Sequence, residues 1–248
     1  MSKVALVTGG GSGIGRETAH ALVAAGWHVI VCGRTADSLD ETIQSSSKPA
    51  SMASIPTDVS DSGSVDALFA AIKDQHGHLD LIFNNAGTSV PPMTIDELTV
   101  DQWKSVIDVN LHGAFLIARG AFSMMRNQDP QGGRIINNGS ISAHVPRPGT
   151  VPYAVSKHAI TGLTRCLSLD GRPFNIACGQ IDIGNASSAM TEAMSAGIVQ
   201  ADGSTKSEAI MDVKHVGEAV VNMGALPLSA NVQFMTIMSS SMPFIGRG

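Results

Sequence analysis

A chain of 248 residues that is 43% hydrophobic can bury a full core, and α/β chains of this length commonly form one domain. The formal charge of −5 is modest and the 16 lysines and arginines are scattered, so no basic stripe tracks a phosphate backbone and nucleic acid is not an expected partner. The three cysteines, Cys32, Cys166 and Cys178, form no CxxC pair and cannot all pair with one another, which fits free thiols in a reducing compartment and a cytoplasmic location.

The chain opens on KVALVTG, a strand-like run that glycine ends too early for a signal peptide or a membrane span, so no membrane association is expected. Short β-branched runs then alternate with longer helical patterns almost to the end. Strands are predicted near 3–8, 27–32, 52–57, 79–84, 133–139, 173–178 and 232–238. Helices are predicted near 14–25, 37–45, 62–76, 101–127, 152–170 and 213–226, with Ser38 and Glu41 reading as a capping pair for the second. Such alternation implies an α/β fold: a doubly wound, seven-stranded parallel sheet with helices on both faces, Rossmann-like, in a single domain over residues 1–248. From Gly184 to Glu208 the rhythm breaks into small and polar residues with Met190 and Met194 among them. An insertion beyond a strand's carboxyl end is well placed to cover a ligand, so 184–208 is expected to be a substrate lid.

The first strand leads into TGGGSGIG at 8–15. Gly9, Gly13 and Gly15 would let backbone N–H groups and a helix N-terminus approach a pyrophosphate without side-chain obstruction. Gly10 and Gly15 also satisfy the GxxxxG part of a phosphate loop. Arg16-Glu17 then stands where Lys-Ser/Thr would be required, which argues against nucleoside triphosphate hydrolysis. Taken alone, the loop reads equally as a tight turn with no ligand.

Further along, Tyr153 and Lys157 lie at i and i+4 in YAVSK, thirteen residues beyond Ser140 in GSIS. On one helical face the ammonium would favour the ionised phenol, so that Tyr153 titrates below its ordinary value of about 10 and exchanges a proton near neutral pH. His144 reads as a solvated loop side chain. His76 and His78 have no third ligand near them in sequence, so no metal is expected. Read alone, Asn110 is an ordinary helix-interior amide.

In their order and spacing these motifs resemble the short-chain dehydrogenase/reductase family, of its shorter single-domain type, over nearly the whole chain. The resemblance implies that Gly9, Ser12, Gly13, Ile14 and Gly15 form a cofactor loop and that Asp58 and Val59 contact adenine. Asn84-Asn85-Ala86-Gly87 matches the family's sheet-stabilising motif beside the adenine ribose. Asn110, Ser140, Tyr153 and Lys157 match its catalytic tetrad. By that likeness Tyr153 is the acid–base, Ser140 hydrogen-bonds the substrate oxygen, Lys157 holds the nicotinamide ribose, and Asn110 holds a water linking Lys157 to solvent. The family's Pro-Gly turn and threonine beyond the sixth strand are replaced here, with Cys178 at the proline and Ile183 at the threonine. Main-chain groups of Ile181 would still reach a carboxamide, and Asn185 would supply the lost polar contact. The ending SSSMPFIGRG also departs from the family's.

The expected activity is therefore hydride transfer between a nicotinamide cofactor and a small-molecule carbonyl or alcohol. Gly33 occupies the place of the acidic residue that grips a ribose 2′-hydroxyl, Arg34 follows it and Arg16 follows the glycine loop, neither of which would repel a 2′-phosphate, so NADP(H) is expected in preference to NAD(H). The alternative is a nucleotide-sensing or scaffolding protein of the same fold without turnover. An epimerase or dehydratase usually has a separate substrate domain, for which this chain has no spare length. The apolar faces of helices 101–127 and 152–170 exceed what one sheet contact requires, and the resemblance implies that they pair across a two-fold axis in a homotetramer.

Overall fold

The computed structural model describes residues 2–187 and 197–245. Seven parallel strands form one sheet: β1 (Val4–Thr8), β2 (His28–Gly33), β3 (Met52–Pro56), β4 (Leu81–Asn84), β5 (Gly133–Asn138), β6 (Ile176–Ile183) and β9 (Phe234–Ile237), in the order β3-β2-β1-β4-β5-β6-β9. Between them run α1 (Gly13–Ala24), α2 (Ala36–Gln44), α3 (Ser62–His76), α4 (Val100–Ile107), α5 (Ala114–Asn127), α6 (Val151–Asp170) and α7 (Lys214–Ala225). The chain reverses direction across the sheet between β1 and β4. Their carboxyl ends therefore flank the crevice where a doubly wound fold takes its ligand.

Both faces of the sheet are covered, which is why its strands read as continuous apolar runs. In β1 every residue is buried: Ala5 and Val7 point into a core with Leu22 and Val23 of α1 and Val216 and Val220 of α7. Val4 and Leu6 point the other way, toward Val65, Leu68 and Ile72 of α3 and Leu116 and Ile117 of α5. Each such fully buried aliphatic side chain contributes roughly 1.5–3 kcal/mol of transfer free energy.

Three predicted boundaries change. The sixth strand begins at Ile176, because Pro173 opens a short 3-10 turn over Arg172–Phe174 and Asn175 then turns left-handed at φ 57°. It runs on to Ile183, which pairs with Ile237, and Cys178 is consequently a mid-strand core residue opposite Ile135. The correspondence of Cys178 with a turn proline does not hold. Secondly, Ser38 lies inside α2, which is capped at Thr35, and its hydroxyl donates back to the Thr35 carbonyl. Thirdly, the predicted single helix 101–127 is interrupted by a π turn over Asp108–Gly113. There the chain passes so close to the β3 exit that a side chain at Gly113 would meet Val59 at 2.8 Å.

Within the predicted lid, β7 (Ile198–Val199) and β8 (Thr205–Lys206) pair antiparallel and Ala186 bridges Met211; Met190 and Met194 lie outside the described residues. Among the described residues no helix is long and apolar enough to cross a membrane.

One buried charge holds the carboxyl-terminal third to the sheet. Arg134, 2% exposed at the start of β5, donates to the carbonyls of Leu226, Pro227 and Ala230 and to the side chain of Asn231. These acceptors lie at and just beyond the end of α7, where carbonyls lack helical partners and a cation is favoured. Replacing Arg134 with Met should cost about 3 kcal/mol or more, because the acceptors stay buried without a donor. Urea unfolding of the variant with an unchanged midpoint would contradict this account.

Candidate active site

The glycine loop forms a cradle that side chains would fill. Gly9 and Gly13 have φ of +64° and +48°, and a Cβ on Gly15 would lie 2.1 Å from the Gly9 carbonyl oxygen. Ser12 caps α1 without a side-chain hydrogen bond to the helix, and it is exposed, with Gly13 and Ile14 half-buried beside it. First-turn N–H groups that no side chain caps suit a phosphate, so the residues present fit a dinucleotide here. A second wall comes from β4: Thr8 accepts from the Asn85 and Ala86 N–H groups, and the Asn85 amide donates to the Thr8 carbonyl at 2.9 Å. Gly87 follows them, within reach of Asn110. At the exit of β3, Asp58 accepts from Ser60, which with the Arg34 charge holds its carboxyl below the usual range, and Val59 is buried.

The two arginines near this loop have different fates. Arg16 is committed to the fold, donating to the Gly11 carbonyl at 2.6 Å and to Thr42, and pairing with Glu41 at 3.2 Å. Arg34 is exposed at the end of β2 beside Gly33.

Tyr153 and Lys157 do share one face of α6, with the ammonium 5.6 Å from the phenol ring. Lys157 is buried and donates to the Asn138 carbonyl at 2.7 Å; burial pulls its pKa down to about 8, against the charge of Asp182. Ser140 lies just beyond β5, accepts from the Ser142 N–H at 3.1 Å and acts on the Tyr153 phenol to favour its ionised form. The expected direction for the phenol is reversed. Burial pushes Tyr153 above its ordinary value, and the groups opposing that shift are Ser140 and Arg147, not Lys157. The i, i+4 geometry is real, but desolvation outweighs it.

Asn110 sits in the π turn, 2% exposed, where its amide accepts from the Thr88 N–H at 2.7 Å and donates to the Thr88 carbonyl and to Ser156. A π turn at such a place is a common way to re-aim a side chain inward. It brings Asn110 to the helix that carries Lys157.

Two residues expected at the cofactor have partners within the fold. The Ile181 carbonyl accepts from the Gly139 N–H at 2.9 Å and its side chain is fully buried, which fixes its main chain in the sheet. Asn185 is buried between Arg147, which donates to it at 3.0 Å, and Glu208, to which it donates at 2.9 Å. His144 is not merely solvated: its Nε2 lies 2.8 Å from the buried carboxylate of Asp182. Sequence reasoning missed Asp182, Gln180, Arg147 and Glu208. The only available signal was a carboxylate between two isoleucines in IDI, and a strand that seemed to end at 178 hid it.

The sequence profile described as short chain dehydrogenase matches residues 3–198. The chain belongs to the short-chain dehydrogenase family. It is 34% identical over 197 residues to the 3beta-hydroxysteroid dehydrogenase of Mediterraneibacter gnavus, covering 79% of this chain and 70% of that protein. The crystal structure of a tryptophan variant of the actinorhodin polyketide ketoreductase with NADPH superposes with a TM-score of 0.84 at 25% identity, over 96% of each chain. The 3-ketoacyl-(acyl-carrier-protein) reductase from Brucella melitensis, complexed with NADH, shares the fold with a TM-score of 0.83 at 21% identity, also over 96% of each. This short-chain dehydrogenase is thus an oxidoreductase by family, with a nicotinamide-binding fold.

Because Tyr153 is the only tyrosine, phenolate absorbance reports on it alone. The wild-type phenol should titrate above about 10, and Ser140→Ala and Arg147→Met should each move it higher, since both groups favour phenolate; a midpoint below about 10 would refute this assignment. Lys157 gives a second test. Its folded value of about 8 lies below the ordinary 10.5, so the unfolded chain binds more protons between these values and stability rises with pH across that window. Relative to Lys157→Met, the wild type should gain on the order of 3 kcal/mol from pH 8 to 10.5. Chemical denaturation at both pH values with no relative gain would show that the ammonium is not desolvated.

Proposed function

We propose that this protein transfers a hydride between NADP(H) and the carbonyl or secondary alcohol of a small molecule, with Tyr153 as the acid–base. The observation that carries this reading is the Tyr153 phenol sharing a helical face with a buried lysine, whose ammonium lies 5.6 Å from the ring, with Ser140 near enough to favour the phenolate. A bound nicotinamide would supply or accept the hydride. Tyr153 keeps its proton at neutral pH, because burial raises its pKa, and so stands ready to donate it to a carbonyl oxygen. Ser140 hydrogen-bonds that same oxygen and stabilises its developing charge. Lys157 holds the ribose hydroxyls, and its proton is available near pH 8.

Arg34 supports NADP(H) over NAD(H): it is exposed, follows Gly33 rather than a carboxylate, and can pair bidentately with a 2′-phosphate. Phe115, Val155 and Leu169 on α5 and α6 are 45%, 44% and 58% exposed, which supports a homotetramer built through these helices. The cytoplasm is the proposed location, on the free thiols of Cys32, Cys166 and Cys178.

With NADPH and a panel of ketones, Tyr153→Phe should lower turnover by about 10²–10⁴-fold while NADPH binding stays within a few-fold of wild type. Retained turnover would instead favour a nucleotide-sensing protein without this chemistry. Arg34→Ala should weaken NADPH roughly tenfold and leave NADH unchanged; tighter NADH binding by the wild type would overturn the cofactor assignment.

A further inference from the structure

Asp182 has no part in the reaction outlined above, yet the site is built around it. The residue is 1% exposed, and both carboxylate oxygens are engaged. Oδ1 accepts from the Ser140 peptide N–H at 3.1 Å and from the Gln180 amide at 2.6 Å, while Oδ2 lies 2.8 Å from His144 Nε2. The neighbouring backbone is cut away to admit it. A Cβ on Gly139 would lie 2.0 Å from Asp182 Oδ1, so only glycine at the end of β5 lets this carboxylate reach the Ser140 peptide. Gln180 is itself fixed from the other side, donating to Thr161 and accepting from Thr164 of α6 at 3.1 and 3.0 Å. The carboxylate therefore has one position.

A buried carboxylate without a full ion-pair partner is expensive, and one that accepts three hydrogen bonds and whose charge reaches the Lys157 ammonium is an electrostatic element as well as a structural one. Among the described residues, the ionisable groups around the Lys157 ammonium are Asp182 from β6 and Tyr153 from its own helix; β5 offers only the Asn138 carbonyl. His144, whose side chain is 45% exposed, joins the carboxylate to solvent.

We propose that Asp182 is a positioning residue of this active site, which fixes Ser140 through its peptide N–H and sets a negative charge against the Lys157 ammonium, with His144 as its solvent-facing clamp. The assignment rests on the reading of Ser140, Tyr153 and Lys157 as the reacting group. Asp182 touches neither substrate nor cofactor; it acts through the residues that do. Burial lowers Lys157 to about 8, and Asp182 opposes that fall, so the carboxylate increases the share of the lysine that keeps its proton.

Protein labelled with ¹³C at the lysine Cε, with the Lys157 resonance assigned through Lys157→Met, reads this charge directly and without turnover. The wild-type midpoint should lie near 8. In Asp182→Asn, which keeps the shape and removes the charge, it should fall. In His144→Leu, which removes the donor and leaves the carboxylate, it should stay at or above the wild-type value. In turnover assays the activity lost with rising pH should move to lower pH in Asp182→Asn, with kcat reduced on the order of tenfold. An unmoved lysine midpoint together with an unmoved pH profile in Asp182→Asn would overturn the proposal. Should that variant not fold, a lysine midpoint that falls in His144→Leu would overturn it, by showing that the imidazole sets the charge. Failure of the hydride-transfer reading would appear separately, as a wild type without turnover whose lysine titration still responds to Asp182.

Discussion

Parallel strands that end at one edge of a sheet bring their terminal polar residues together where little water reaches, and each buried group left without a partner costs roughly 1–3 kcal/mol. This protein meets that constraint with one connected set. Asn84 donates to Asn137, Asn137 to Thr164, Thr164 to Gln180, and Gln180 to Asp182, whose other oxygen faces His144. A parallel branch runs from Thr8 through Asn85 to Asn138, whose carbonyl receives Lys157. The glycine loop, the strand ends and the reacting group are thereby held in one hydrogen-bonded frame.

The frame also explains the protonation pattern. A helical spacing of four residues argues for a phenol made more acidic by its ammonium neighbour. In the folded chain both groups are withdrawn from water, and desolvation favours the neutral form of each. Tyr153 accordingly rises and Lys157 falls to about 8, so the lysine becomes the more acidic of the two. Under neutral conditions a pair tuned in this way holds a donatable proton on oxygen.

At the cofactor end, packing separates two arginines that look alike in one dimension. Arg16 spends its guanidinium on the Gly11 carbonyl, Thr42 and Glu41, binding α1, α2 and the glycine loop together. Arg34 remains exposed, and its charge reaches Asp58 at the exit of β3. Only the second keeps its guanidinium exposed.

The amino-acid sequence by itself determined the α/β alternation, the seven parallel strands and the glycine loop, because apolar periodicity and the need for bare backbone at a turn are local properties. The pairing of Tyr153 with Lys157 on one face was legible for the same reason, as was the placing of Ser140 at a strand end. What stayed hidden depends on contacts between distant segments. The π turn that aims Asn110 at Thr88 arises where Gly113 packs on Val59, 54 residues away along the chain. The true end of β6 is set by its pairing with β9, and with it the burial of Asp182 beneath Ser140. Direction of titration was likewise decided by tertiary structure, since spacing fixes which charges are neighbours while only the packed fold decides how much water each one loses.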